Sequence, residues 1–415
     1  MPDYDVIVVG AGPAGCTAAY DLARSGAKVA LIEKQTLPRH KTCGGGMPMM
    51  VREVLELDAL RDLAPDAFVE SETQYMRHTW KFGMPVLASL NPDAADARNL
   101  SLWMVRRSVF DNALAQRAAG AGAELRDGLA VKSVVVEPNG TVRVTAQGSH
   151  GAWEATAGTV IGADGANGIV ARSVGLRRER ALAIAIEAEV PHRWGDGHPE
   201  LRTDVCHLEY GAVERGYAWV FPKGDHLNVG AGVFRPRGEG MQGDNTVRAD
   251  LRAAIMDYLT LLGVPRREVD LVFHAHPLPI WNGLDTLQTP DDRVLLAGDS
   301  AGLINPFFGD GILHALKSGK IAARCILAQD RRNYTRAIGQ EFKSNFDAAL
   351  KLAKFFYQWP KLCYQHGVRR PGATRTAALL LCGDAVFTDV AGRALRRMRQ
   401  ALVFGDSEPA SEPGP

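Results

Sequence analysis

The chain has 415 residues, with 48 Lys and Arg against 47 Asp and Glu and a formal net charge of +1. So even a balance gives no field to recruit a polyanion, which excludes nucleic-acid binding as a leading expectation. The length suits two interleaved domains with core enough for a large ligand. Residues 4–10, YDVIVVG, form an apolar, β-branched run closed by glycine, the pattern of a strand buried on both faces of a parallel sheet. A helix is expected from Pro13 to Arg24, ending at Gly26, and a second parallel strand over KVALIE at 28–33. Apolar residues at helical spacing predict a further helix from Gly46 to about Leu63, then strands in YMRHTWKFG and LSLWMV.

Further on, SVFDNALAQRAAGAGA predicts a helix, VKSVVVEPNGTVRVTAQG a hairpin turning at PNG, and ATAGTVIGADGA a buried strand ending in a glycine-rich turn. From about Leu182 to Pro279, runs such as GYAWVFP and LNVGAGVF alternate apolar with polar residues and predict an antiparallel sheet. RVLLAGDSAG returns to a buried strand and turn, a helix follows from about Gly311 to Leu327, and the rest is helical up to a tail, GDSEPASEPGP, with a disordered composition.

GAGPAG sets Gly10, Gly12 and Gly15 between strand and helix, with Glu33 ending the next strand. These glycines permit a tight turn, close approach of a pyrophosphate at a helix N-terminus, and close helix packing, while the acid accepts hydrogen bonds from a ribose. The pattern alone does not separate FAD from NAD. Two later stretches do so only together: LLAGDSAGLINPFFGDGI sets Asp299 after a buried strand, where a carboxylate can bind a polyol such as the ribityl chain. It also starts a helix after Gly309 and Gly311, whose N-terminus stabilises an anionic flavin edge. GADGANG, with Asp164, adds another glycine-rich turn, so three separated segments describe one FAD.

On VIVVGAGPAG, PRHKTCGGG, VRRSVFD, IGADGA, GYAWVFPKGDHLNVGAG, LLAGDSAGLINPFFGDGI and FYQWPKLCY, the chain resembles the geranylgeranyl reductase family within the p-hydroxybenzoate hydroxylase-like group of FAD proteins. The resemblance spans Tyr4 to about Arg399. It implies that Arg107 contacts FAD, that Cys43, Gly44 and Gly45 line the flavin, and that Ala14, Lys34, Val131 and Ile312 complete the cofactor contacts. Tyr217, Trp219 and Phe221 are implied at the substrate cavity. The chlorophyll-directed branch resembles CGGAIP where this chain reads CGGGMP, and Gly168 stands where GADGAN is usually closed by serine.

The implied fold is α/β, a Rossmann-type FAD-binding domain interleaved with an antiparallel-sheet substrate domain and followed by a helical C-terminal region. Residues 1–67, 101–181 and 286–330 are assigned to the first, 68–100 and 182–285 to the second, 331–404 to the third and 405–415 to the disordered tail. The implied activity is saturation of carbon–carbon double bonds in a geranylgeranyl or other polyprenyl group, with NADPH or ferredoxin as electron donor. A flavin-dependent monooxygenase or halogenase, and a non-catalytic flavin-containing lipid binder, are the alternatives.

Several residues carry two readings. Cys43, beside Lys41, is either a catalytic thiol that donates a proton or positions the alkene, or a small neighbour of glycines that let backbone lie on a flat ring. The three aromatics of GYAWVFP share a strand face and form either an ordinary half-buried strand or an apolar wall. His274 and His276 share a face too, but a metal site needs another ligand, so no metal is expected. GMPMM at 46–50 is either core or a flexible lining for a long ligand. Phe342, Phe346, Ala349, Ala353 and Phe356, with Lys343, Lys351, Lys354 and Lys361 nearby, describe a basic amphipathic helix that either meets a membrane or packs on the FAD domain. The six cysteines are scattered without ligand spacing, and neither a signal-peptide pattern nor a spanning run is present, so a cytoplasmic protein, peripheral on the membrane at most, is expected.

Overall fold

The computed structural model of the protein describes residues 1–93, 99–149, 151–177, 181–234 and 244–404; the expected tail at 405–415 lies outside the described residues. The chain opens with β1 (Tyr4–Val9), α1 (Pro13–Arg24) and β2 (Val29–Ile32). The helix expected from Gly46 to Leu63 is instead β3 (Gly46–Pro48) followed by single turns α2 (Val51–Val54) and α3 (Leu57–Leu60). Residues 46–48 pair antiparallel with 102–104, and Glu56 and Arg61 take left-handed φ values of 55° and 53°, so tertiary pairing and two helix-ending residues override the periodicity.

Next come β4 (Val69–Thr73), β5 (Tyr75–Trp80), β6 (Gly83–Ser89), β7 (Leu102–Val105), α4 (Arg107–Gly120) and β8 (Glu124–Arg126). The predicted hairpin is β9 (Leu129–Val136) and β10 (Val142–Gly148), and it leads into β11 (Gly151–Gly162) and the turn α5 (Val170–Ser173). β12 (Ala181–Pro191), β13 (Val205–Tyr210), β14 (Gly216–Pro222) and β15 (His226–Phe234) follow. Then α6 (Asp244–Leu261) interrupts the stretch expected to be sheet, before β16 (His274–Ile280) and β17 (Val294–Leu296). α6 buries Leu251, Ala254, Ile255, Tyr258 and Leu259, the i, i+3, i+4 stripe of a helix, against Val220, Val229 and their neighbours.

The helical remainder is α7 (Ile312–Leu327), α8 (Tyr334–Gln358), α9 (Pro360–Cys363), a π turn at Tyr364–Val368, α10 (Ala373–Cys382) and α11 (Phe387–Phe404).

Three sheets result. The first runs β8-β2-β1-β11-β10-β9, with β17 also on β11. β8, β2, β1, β11 and β17 are mutually parallel, so their carboxyl ends open on one side, where ligands bind in such sheets. The second runs β16-β12-β15-β14-β13-β5-β6 and is antiparallel except that β13 pairs β5 in parallel. A three-stranded sheet, β3-β7-β4, lies between them in sequence. Buried Phe342, Phe346, Ala349, Ala353 and Phe356 show that α8 turns its apolar stripe inward, which decides that helix for packing.

Candidate active site

A cavity of about 1050 Å3 runs from the carboxyl ends of β1, β2, β11 and β17 to the space beneath α8, α10 and α11. Gly10, Gly12, Ala14, Glu33, Lys34, Cys43, Gly44, Gly45, Arg107, Val131, Asp164, Asp299, Gly309, Gly311 and Ile312 line it, as do Tyr217, Trp219 and Phe221. Gly15 alone of the nominated residues does not line it. A Cβ there would lie 1.9 Å from the Gly10 carbonyl oxygen, so this glycine serves the close crossing of α1 over β1.

At the sheet end the wall is largely backbone. Gly10 has φ +105°, and a Cβ on it would lie 2.3 Å from the Ala163 carbonyl oxygen, whereas a Cβ on Gly12 would meet nothing within 4 Å. Glu33 is buried and does more than wait for a ribose: Oε2 accepts the Ala11 N–H at 3.1 Å and Oε1 the Gln35 N–H at 3.1 Å. Asp164 accepts the Val170 N–H at 2.9 Å and the Ser300 hydroxyl at 2.9 Å, and burial pushes its carboxyl pKa up. A Cβ at Gly168 would lie 2.1 Å from Asp164 Oδ1, so glycine there leaves space for a carboxylate that takes its hydroxyl from Ser300 instead. The N-cap of α7 is Gly311, which offers no side chain to the first-turn N–H groups and leaves them for an anion.

Arg107 is buried and forks onto Asp111 at 2.8 and 2.9 Å, while Arg39 reaches the same carboxylate at 3.0 Å. Burial opposes the Arg107 charge, but Asp111 and the neighbouring Cys43 thiol outweigh it and its pKa rises. Lys41 is driven the other way, downward, by burial that nearby Asp299 only partly offsets.

The loop at 43–46 explains its glycines differently from the expectation of a flat ring alone. A Cβ on Gly44 would lie 2.9 Å from the Phe221 ring and 3.1 Å from Trp219 Nε1, and one on Gly46 3.1 Å from Phe221, so aromatic rings of β14 already press on both. Gly45 has φ +68°, and a Cβ there would be 2.1 Å from the Val105 carbonyl oxygen. Two ionisable side chains from the second sheet fix this loop. Glu187 accepts the Cys43 N–H at 2.9 Å, and buried Lys223 donates to the Gly44 carbonyl at 2.7 Å and the Val105 carbonyl at 3.0 Å. Glu187 also accepts from Asn228 Nδ2 at 2.6 Å, and Asn228 Oδ1 accepts the Trp219 indole N–H at 2.8 Å. One chain of hydrogen bonds therefore ties the loop to the aromatic strand. Burial pushes the Glu187 pKa up and the Lys223 pKa down to about 8. Cys43 is half-buried, and its Sγ accepts the Gly45 N–H at 3.4 Å.

Tyr217, Trp219 and Phe221 stand in a row, with ring centroids 6.0 and 6.2 Å apart. Phe234, Phe307, Phe356, Tyr357, Leu278 and Ile304 extend the apolar lining. Sequence patterns missed Arg39, Asp111, Glu187, Lys223 and Asn228. Asp111 had a signal in the i, i+4 spacing from Arg107, and Lys223 in its place directly after the aromatic strand. His274 packs against His40 with centroids 4.0 Å apart and rings tilted by 35°, and His276 lines the cavity, its pKa pushed down to about 3 by burial with Lys41 and Arg107 nearby. Among the described residues Glu70, Asp225 and His226 converge like metal ligands. Arg106 spans them at 3.0, 2.8 and 3.1 Å, so a guanidinium already serves there.

A glycine-walled crevice at the ends of a parallel sheet, an open helix N-terminus and a buried Arg–Asp pair fit a long dinucleotide, and they define an FAD-binding oxidoreductase. A profile described as FAD binding domain matches residues 3–318. The chain belongs to the geranylgeranyl reductase family: it is 30% identical over 404 residues to geranylgeranyl diphosphate reductase of Oryza sativa subsp. japonica, an alignment covering 91% of this chain and 78% of that one. It is 28% identical over 393 residues to menaquinone reductase of Mycolicibacterium smegmatis, covering 91% and 84%. The crystal structure of a geranylgeranyl bacteriochlorophyll reductase-like protein from Thermoplasma acidophilum shares the fold, with TM-score 0.73, 22% identity and coverage of 96% and 98%. No helix among the described residues is long and apolar enough to cross a membrane.

Proposed function

We propose that the protein saturates carbon–carbon double bonds of a geranylgeranyl or other polyprenyl group carried on a lipid or isoprenoid. The carrying observation is that one continuous cavity joins the glycine-built dinucleotide crevice to an apolar, aromatic-walled chamber. A polyprenyl chain has no polar groups to hold it, so shape and burial must do so.

In this reading residues 1–67, 101–181 and 286–330 hold the cofactor, and 68–100, 182–285 and 331–404 enclose the substrate. Gly10, Gly12 and Ala14 receive the pyrophosphate, Glu33 the ribose and Asp299 the ribityl chain. Arg107 and the Cys43–Gly45 loop border the ring system. Bound FAD, once reduced, supplies hydride, and the protein's work is placement and exclusion of water. Tyr217, Trp219 and Phe221 align the alkene along β14. Glu187 and Lys223 hold the loop rigid so that the Cys43 thiol keeps its place on the cavity wall, where it is the protein group available to give a proton to the second alkene carbon. Substrates of this kind reside in bilayers, so the protein works peripherally at a membrane surface.

The test is mass spectrometry of geranylgeranyl lipids mixed without oxygen with the dithionite-reduced protein, and in parallel in air with halide. The expected product gains two hydrogens per reduced bond. Oxygen or halogen incorporation in air without hydrogen gain would move the protein to the monooxygenase or halogenase class, and tight FAD without turnover of any lipid to a binding role. Replacing dithionite by NADPH, then by reduced ferredoxin, identifies the donor.

A further inference from the structure

From Phe355 to Gly383 the chain carries Lys361, Arg369, Arg370 and Arg375 and no acidic residue, a local excess that the near-neutral whole conceals. This stretch forms α9, the π turn and α10, the first two joined directly at Cys363–Tyr364. Lys361, Arg369 and Arg370 are exposed on it, and Trp359, one turn earlier, is 45% exposed. The π turn is fastened to β6 through the Tyr364 hydroxyl, which donates to the Met84 carbonyl at 2.5 Å, and the Met84 side chain is itself exposed. Irregular helical turns of this kind recur at functional sites.

Arg370, Pro371 and Gly372 are exposed and also line the large cavity, so the cavity reaches the surface here. Its other exposed lining residues include Lys34, Gln35 and Lys132 at the dinucleotide end and His40 beside Glu187 and His274. Beside the C-terminal opening the wall mixes apolar Cys363, Leu380, Leu381 and Met76 with polar His78, His366 and Thr374. The cavity thus has one polar entrance by the sheet and another at Arg370, Pro371 and Gly372 beside the helices, while Trp359 and Met84 are exposed on the elements that precede and fasten the π turn.

We propose that this second mouth docks on an anionic bilayer, with Trp359 and Met84 seated in the interface and Lys361, Arg369 and Arg370 against lipid phosphates, so that a polyprenyl chain passes from the membrane into the cavity. The proposal rests on the polyprenyl reading above. Charge complementarity favours an anionic bilayer, because the exposed charged residues Lys361, Arg369 and Arg370 of this stretch are all basic, and amphipathic Trp and long basic side chains suit the boundary between hydrocarbon and water. α8 is not the docking element, since its apolar stripe is buried.

The FAD-loaded full chain is sedimented with vesicles of phosphatidylcholine alone and of phosphatidylcholine mixed with phosphatidylglycerol, at low and high salt. Binding is expected only to the mixed vesicles and to fall with salt. The double variant Lys361→Glu, Arg369→Glu changes the charge by four units and is expected to bind about six-hundredfold more weakly, at roughly fivefold per unit. In Trp359→Phe, quenching of tryptophan emission by brominated acyl chains is expected to drop. The double variant is expected to turn over detergent-dispersed substrate like wild type and vesicle-embedded substrate poorly. Equal binding to both vesicle types, or binding indifferent to the charge reversal, overturns the proposal; if detergent-dispersed substrate is still reduced in that case, the reductase reading stands without it.

Discussion

At the dinucleotide end the cavity is walled by backbone, with Gly10, Gly12 and Gly311 presenting peptide groups from consecutive turns after β1 and before α7. At the substrate end it is walled by side chains from β12, β14 and the helical C-terminal region, and the 43–46 loop between the two ends is held by Glu187 of β12, supported by Asn228 of β15, and by Lys223 just after β14. Backbone walls tolerate change of neighbouring side chains but not of a glycine such as Gly10, whose Cβ would strike the Ala163 carbonyl. Side-chain walls tolerate single changes of shape but depend on their hydrogen-bonded supports. The contrast locates where a mutation abolishes cofactor retention and where it alters substrate handling.

The largest expected effect is at the backbone wall. Gly10→Ala forces a Cβ to 2.3 Å from the Ala163 carbonyl oxygen at φ +105°, with strain alone costing about 1–3 kcal/mol. The purified variant should lose the yellow absorbance of bound FAD, and retention of stoichiometric flavin would break the comparison.

Acid is next, and it probes both ends together. Burial pushes His78 down to about 4 and His207 and His276 down to about 3. Their folded values lie below the unfolded value of about 6.5, so below that pH the unfolded chain takes up protons the folded chain refuses, and stability falls. The three together contribute at most about 4 kcal/mol per pH unit between pH 6 and 4. Glu187, Glu209 and Asp164, all raised by burial, act with the opposite sign and reduce the slope. Urea denaturation across this range should show a net loss; flat stability would place these imidazoles in contact with water.

Glu187→Ala leaves the Cys43 N–H and the Asn228 amide without their shared acceptor, a loss of about 3 kcal/mol for two buried bonds. FAD content should hold while the product pattern broadens, because loop and aromatic strand are no longer tied. Loss of FAD from this variant would erase the distinction between the two ends.

Cys43→Ala is the smallest change, under about 1 kcal/mol in stability, since the thiol is half-buried and its bond from the Gly45 N–H is long. Slower turnover with flavin retained would support the catalytic thiol; unchanged rate and product pattern would leave the residue a spacer.

Much of the site was legible. The βαβ opening, the hairpin, the turn glycines and Asp164 follow from local rules, because each is recognised through the conformation of a few adjacent residues. α6 was legible as well: Leu251, Ala254, Ile255, Tyr258 and Leu259 keep a helical period that the surrounding strand patterns masked. The fate of residues 46–63 was not, since it turns on pairing with β7 some 55 residues away.

The FAD-binding turns, the wound parallel sheet, the aromatic strand and the geranylgeranyl reductase family are all written in short contiguous patterns, so they are readable before any folding is known. Folding alone reveals that Gly44 and Gly46 are small to admit Phe221 and that Glu187 and Lys223 hold the loop, because each is a contact between segments more than 100 residues apart, and no local period or spacing records such a meeting.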